Sequence, residues 1–172
     1  MSIESQFSLQ GSEALKSVFR NHASGIALVT SVDDAGNPIG FTASSITSLG
    51  SNPPLVSFNI AQGSSSYCFL LPGKLVAMHT LDETTLHLAQ RLAGDKAQRF
   101  DGSESRGPEG IPLFEQSSAI LLGRIRERFE VESNAVIVLD AVSARLTGTD
   151  VNPLVYFQRA YHGLGDKLAD NS

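Results

Sequence analysis

Between Ala119 and Leu146 the chain reads as two long extended segments, AILLGRIRERFEV and NAVIVLDAVSARL, and the second is apolar on both faces from Val136 to Leu139. A strand that buries both faces has to lie inside a sheet with neighbours on each side. The rest of the chain supplies those neighbours. GIALVTSV reads as a buried strand, DDAGNP as a turn, and IGFTASS as renewed extended structure, so a hairpin is expected. Gly36 and Asn37 suit positive φ in that turn, and Pro38 suits a fixed bend. In PPLVSFNIAQGSSS, Val56, Phe58 and Ile60 alternate with Ser57 and Asn59, the period of a half-buried strand. KLVAMHTL and PLVYFQRAYHG read as one strand each. Alternating strand–helix units are absent, which points to an antiparallel barrel or sandwich rather than a parallel sheet. No G-x-G-x-x-G fingerprint supports a dinucleotide fold.

Two stretches change period. Leu15, Val18, Phe19 and His22 recur at i, i+3, i+4 and i+7, which predicts a short helix burying that face, capped by Ser12 and stopped at Gly25. On this reading His22 is a packing residue. Thr85, Leu88, Ala89 and Leu92 predict a second helix, with Asp82 as cap, Gly94 as stop and His87 facing outward. DKAQRFDGSESRGPEGIP is polar and rich in Gly and Pro, an exposed excursion. No repeat or linker divides the 172 residues, so residues 1–172 are expected to form a single domain with frayed ends at 1–11 and 166–172.

Several function classes drop out. A net charge of -5 argues against general nucleic-acid binding. Arg124, Arg126 and Arg128 alternate along one strand and read as a solvated face rather than a phosphate patch. Cys68 is the only cysteine, so neither an intrachain disulfide nor a cysteine metal cage is available. The four histidines show no ligand spacing, and no metal site is expected. No signal-like N-terminus and no run of about 20 apolar residues occur, so a cytoplasmic protein without a membrane partner is expected. Neither G-x-S-x-G nor a Walker-type loop is present.

What remains are two hydroxyl clusters. Thr42, Ser44, Ser45, Thr47 and Ser48 form one, within GFTASSITSLGSNPP; Ser64, Ser65 and Ser66 form the other. They read either as Ser-rich turns or as a cradle in which hydroxyls and backbone N–H groups hold an anion without lysine or arginine.

The order of features resembles the flavin reductase family. FRNHASGIALVTS is similar to the family's F-R-x-x-x-x-G-V-x-V-V-T opening. DAGNPIGFTASSITSLGSNPPLVSFNI resembles its D-G-x-P-x-G-x-T-x-S-S-x-x-S-x-S-x-x-P-P-L-V segment. GSSSYCFL, LAQRLAGDKAQRFDG and PLVYFQRAY follow in the family's order. The resemblance implies a mainly β chain: a split β-barrel of Greek-key-like antiparallel strands with a few short helices. It also implies FMN or FAD as cofactor, NADH or NADPH as co-substrate, a homodimer, and a flavin-dependent monooxygenase as partner.

Carried over residue by residue, it places Thr42, Ala43, Ser44 and Ser45 along the ribityl and phosphate end of a flavin. Asn59 falls at the ring edge, Ser64 and Ser66 at the phosphate, and Arg99 and Phe100 at the phosphate or adenosine part. Each has a plainer reading: Asn59 in a turn, Phe100 in the core, Arg99 paired with Asp101.

One departure bears on mechanism. The family's G-D-H is replaced by Ser133, Asn134 and Ala135, and its following Gly-Glu by Asp140 and Ala141. Ala135 has no donor and no titratable group. Hydride transfer to a flavin needs no protein acid. Two expectations therefore stand, with no catalytic side chain assigned in either. One is NAD(P)H-dependent reduction of FMN or FAD; the other is a flavin-binding protein without nicotinamide turnover, fed by another electron donor.

Overall fold

The computed structural model describes residues 7–148, 151–166 and 168. Helix α1 (Gly11–Arg20) precedes a short β1 (Ser24–Gly25) and the hairpin of β2 (Ala27–Val32) and β3 (Pro38–Ala43). A second hairpin pairs β4 (Thr47–Ser51) with β5 (Pro54–Ala61); β6 (Leu75–Thr80) and helix α2 (Leu86–Ala93) follow. The polar excursion holds two short strands, β7 (Ser105–Arg106) and β8 (Pro112–Leu113). Next come β9 (Ala119–Val131) and β10 (Asn134–Leu146), and then β11 (Val155–Phe157) and β12 (Ala160–His162).

Seven strands form the main sheet in the order β3-β2-β6-β9-β10-β5-β4, every pair antiparallel. The mainly β, antiparallel architecture expected from the periods is present, and β10 lies between β9 and β5 as its two apolar faces require. The sheet curls on itself. Val29 and Ile39 from one side share a core with Val56, Phe58 and Ile60 from the other, over Ile125, Ile137 and Leu139. The Phe41 and Phe58 rings meet at 5.9 Å across that interior. Burying one such side chain contributes roughly 1.5–3 kcal/mol. No ladder joins β3 to β4 among the described residues, so both remain edge strands.

Turn chemistry follows the sequence closely in one place. Asp33 accepts the N–H groups of Ala35 and Asn37 at 2.9 and 2.8 Å, and Gly36 takes φ 81°. Gly36 alone supplies the positive φ; Asn37 instead donates its side-chain N–H to Asp33. Asp82 caps a single 3-10 turn (Glu83–Thr85) that leads into α2, and Gly94 ends that helix. Leu88, Ala89 and Leu92 are buried as their spacing predicts.

Other expectations are corrected. Gln10, not Ser12, stands at the N-cap of α1, and the helix ends at Arg20, well before Gly25, which belongs to β1. The apolar face of α1 is not buried: Leu15, Val18 and Phe19 are 60%, 64% and 61% exposed. The interior of the sheet is already filled by its own side chains, and no described residue buries this apolar face of the helix. His22 is likewise exposed, with its ring edge-on to Phe19 at 5.7 Å.

PLVYFQRAYHG is a hairpin, not one strand, because Gln158 and Arg159 turn the chain at φ 49° and 66°. The three arginines of β9 do not share one face, since a register shift between Val138 and Leu139 breaks the alternation. Arg124 pairs with Glu109 at 2.7 Å and Arg126 with Asp140, whereas Arg128 lies over the Tyr67 ring at 4.6 Å. The expected frayed ends fall mostly outside the described residues, and Gly11 opens α1. No helix among the described residues is long and apolar enough to cross a membrane.

Candidate functional site

β3 and β5 present the first hydroxyl cluster where their ladders run out. The β4 ladder on β5 begins only at Ser57, so the N–H of Asn59 lacks a strand partner on that side. Ser45 Oγ accepts it at 2.9 Å, standing in for the missing strand partner. The Asn59 side chain stays exposed. Thr42 Oγ1 donates to the Ala89 carbonyl of α2 at 2.7 Å, which clasps the helix to β3 and leaves that oxygen free only to accept. Ser44 is exposed and makes no hydrogen bond within the described residues.

These groups line one cleft of about 360 Å³. It brings together Thr42, Ala43, Ser44, Ser45, Asn59, Ser64 and Arg99, seven of the nine residues singled out from the sequence. Ser66 and Phe100 stand apart, on a notch of about 40 Å³ that shares Arg99 and adds Ser65 and Lys96. Ser66 is buried, and its N–H points at Ser64 Oγ (3.4 Å). Phe100 packs into the α2 core and stacks on Phe114, ring centroids 6.2 Å apart, so the core reading holds for it while its edge rims the notch. Gly40 leaves no room there: a Cβ would meet Val29 O at 2.9 Å and Phe100 Cζ at 3.0 Å.

The cradle is not free of charge, contrary to the simplest reading of the hydroxyl run. Arg99 does not pair with Asp101, which is held by Arg91. Its Nη1 donates to Gly40 O at 2.9 Å, and its Nε and Nη2 donate to Gly94 O at 3.2 and 3.1 Å. A guanidinium has five N–H groups, so each terminal nitrogen keeps one for an anion. Lys96 was not singled out from the sequence, although its place three residues before Arg99 in a short helical turn put it on the same side.

A wider cleft of about 690 Å³ continues from Ser44, Ser45 and Asn59 to Phe19, His22, Ser24, Thr47 and Tyr156. His22, read from its spacing as packing, belongs to this wall. Tyr156, raised only as part of the PLVY stretch, lies beside it. Position 135 is elsewhere: Ala135 is buried in the core, registered between Ile60 and Glu130, and Asp140 is occupied by Arg126.

Residues 19–165 match the Flavin reductase like domain family, and the chain belongs to that family. An NADH:FMN oxidoreductase of Rhodococcus qingshengii is 45% identical over 85 residues, 49% of this chain and 44% of that protein. The stachydrine N-demethylase reductase subunit Stc3 of Rhizobium meliloti is 27% identical over 149 residues, 86% of this chain and 64% of that protein. The chain thus spans about half the length of the curated relatives it matches. A flavin reductase domain protein of Arthrobacter sp. FB24, solved by crystallography, superposes with a TM-score of 0.83 at 35% identity, covering 92% of this chain and 98% of that one.

Proposed function

We propose that this chain is a flavin reductase, using NADH or NADPH to reduce FMN or FAD and supplying the reduced flavin to a monooxygenase partner. The observation that carries the proposal is the single cleft in which Thr42, Ala43, Ser44, Ser45, Asn59, Ser64 and Arg99 converge. Those residues fit a flavin phosphate and polyol: an open Ser44 hydroxyl, an accepting Thr42 oxygen and a guanidinium with spare N–H groups and no carboxylate partner among the described residues. When bound, the flavin supplies the hydride acceptor, and the protein's task is to orient two rings and exclude water. Arg99 and Lys96 would hold the phosphate, with Ser64 and Ser66 closing over it. Asn59 would meet the ring edge with its exposed amide. Apolar Phe41, Ile60 and Leu92 complete the wall.

The relatives named above as an NADH:FMN oxidoreductase and as a reductase subunit support this reading of the nucleotide and of a partner enzyme. We further take residues 1–172 as one flavin-binding domain that works in the cytoplasm as a homodimer. The uncovered face of α1, with Leu15, Val18 and Phe19, supports the dimer. Its lone cysteine suits a reducing compartment. Purified protein mixed with NADH or NADPH and excess FMN should lose the reduced-nicotinamide absorbance; no flavin-dependent loss with either nucleotide would end the proposal.

A second reading is favoured by one observation. The position that carries the family's histidine is Ala135, buried and without a titratable group. A flavin-binding protein that takes electrons from another donor would quench FMN fluorescence yet idle with both nucleotides.

A further inference from the structure

The notch beside the smaller cleft is charged and tightly walled. Lys96 and Arg99 both line it, and no Asp or Glu lines either the notch or that cleft. The nearby acids are engaged elsewhere: Asp101 and Glu104 face Arg91, and Asp95 accepts the Ala97 N–H at 3.0 Å. Neither Lys96 nor Arg99 has a carboxylate partner among the described residues. Ser66 adds a neutral donor. It is 2% exposed and lines the notch, yet its hydroxyl makes no hydrogen bond among the described residues. A hydroxyl that deep calls for a partner, and here the partner has to come from the notch itself.

The walls around these donors are held in place. The bonds from Arg99 to Gly40 O and Gly94 O fix where its remaining N–H groups point. Phe100 closes on Gly40 so tightly that one added carbon would collide with its ring, and behind Phe100 stands the buried Phe114. The space left is about 40 Å³. A water-sized group needs roughly 10–15 Å³, so about three fit. Three is also the number of free oxygens on a phosphate monoester, which carries about two negative charges near neutral pH to set against the two cations. The nearer phosphate of a diphosphate ester has two free oxygens and about one charge. Its second ester link must also carry the rest of the molecule past Phe100 or back out of the mouth.

We propose that the notch selects the flavin by its tail: it accepts a terminal phosphate monoester, so the chain takes FMN in preference to FAD, with Lys96, Arg99 and Ser66 setting the choice. The inference rests on, and sharpens, the reading of the chain as a flavin reductase. The two flavins share their ring system and ribityl chain, so discrimination has to act beyond the ribityl end. Arg99 belongs to both the cleft and the notch, and thus stands where a tail leaving the one enters the other.

Calorimetric titration of the full-length protein with FMN, FAD and riboflavin, without nicotinamide, reads the preference directly. FMN should bind at least about tenfold more tightly than either of the others. Two variants then locate the cause: Ser66→Ala, and the exposed Lys96→Ala should the buried serine prove necessary for folding. Each should raise the FMN dissociation constant by about tenfold and leave those of FAD and riboflavin within about twofold, so that the preference collapses. FAD bound as tightly as FMN overturns the proposal, and so does a loss that riboflavin shares equally. An FMN preference that survives in both variants overturns it too, by putting the phosphate outside the notch. The two readings fail separately. Protein that prefers FMN yet oxidises neither NADH nor NADPH sinks the reductase and leaves the notch; turnover with FMN and FAD bound equally well sinks the notch and leaves the reductase.

Discussion

Helices α1 and α2 carry the same kind of amphipathic repeat, yet α2 buries Leu88, Ala89 and Leu92 while α1 buries nothing. The difference lies in attachment. α2 leaves β6 through the Asp82-capped turn and is clasped to β3 by the Thr42–Ala89 bond, so its apolar stripe lands on Ile26, Leu28 and Leu81. α1 stands before the sheet and is fastened at its end by Gln158 alone, among the contacts described. Periodicity therefore reports that a face is apolar, and connectivity decides what covers it. For function the contrast is direct: Leu92 and Ala93 of α2 wall the cleft proposed for a flavin, whereas Phe19 of α1 rims the wider one.

The largest test of that contrast is truncation. Leu92→Ala should lower unfolding stability by about 2–5 kcal/mol in urea titration, as for a fully buried leucine that leaves a cavity. A loss below about 1 kcal/mol would mean that α2 is no better packed than α1, erasing the contrast.

Acid supplies the next. His79 lies fully buried against Phe114, a member of the α2 cluster, and accepts the Phe114 N–H at 3.3 Å. Burial pushes its pKa down to about 4. The unfolded chain takes up this proton first, so the contribution is complete above the ordinary histidine pKa near 6.5 and is lost as pH falls toward 4. The loss should reach about 3 kcal/mol, seen as a pH slope in melting temperature that His79→Gln abolishes. A wild-type slope that survives the substitution would assign it to other groups.

Smaller effects belong to the rim. Ser44→Ala with Ser45→Ala should weaken FMN binding by roughly 0.5–1.5 kcal/mol per hydrogen bond lost, and riboflavin much less. Equal losses for both ligands would place the phosphate elsewhere. Leu15→Ala on α1 should fall within about 0.5 kcal/mol at protein concentrations where the chain is monomeric. A larger cost that grows with concentration would show that a second copy covers this helix, and would restore the equivalence of the two helices.

How much of this was legible in the sequence depends on how local the cause is. The burial of Val56, Phe58 and Ile60, the Asp33 turn and the central place of Val136 to Leu139 depend on neighbours a few residues away or on a plain excess of apolar groups, and all three appear in the fold, although Ser57, expected on the open face, is buried as well. The final hairpin stayed hidden because Gln158 and Arg159 lack the Gly or Asn that usually marks a left-handed turn. In the candidate site, composition drew attention to the hydroxyls, and four of the eight, Thr42, Ser44, Ser45 and Ser64, converge on one cleft. Which hydroxyls are already engaged could not be read, since Thr42 spends its proton on Ala89 and Ser45 accepts from Asn59, both far along the chain. The plainer reading of Arg99, a pair with Asp101, failed for the same reason: Arg91 of α2 holds Asp101 instead.

The bond from Arg99 to Gly40 has a consequence for solubility. β3 borders the main sheet, and a bare border strand invites another chain to extend the sheet outward without limit. By seating a cation on one of that strand's carbonyls, with α2 lodged against the same strand, the molecule blunts its own template for filament growth. The arginine assigned to a ligand's phosphate thus also guards the chain against polymerising with its copies.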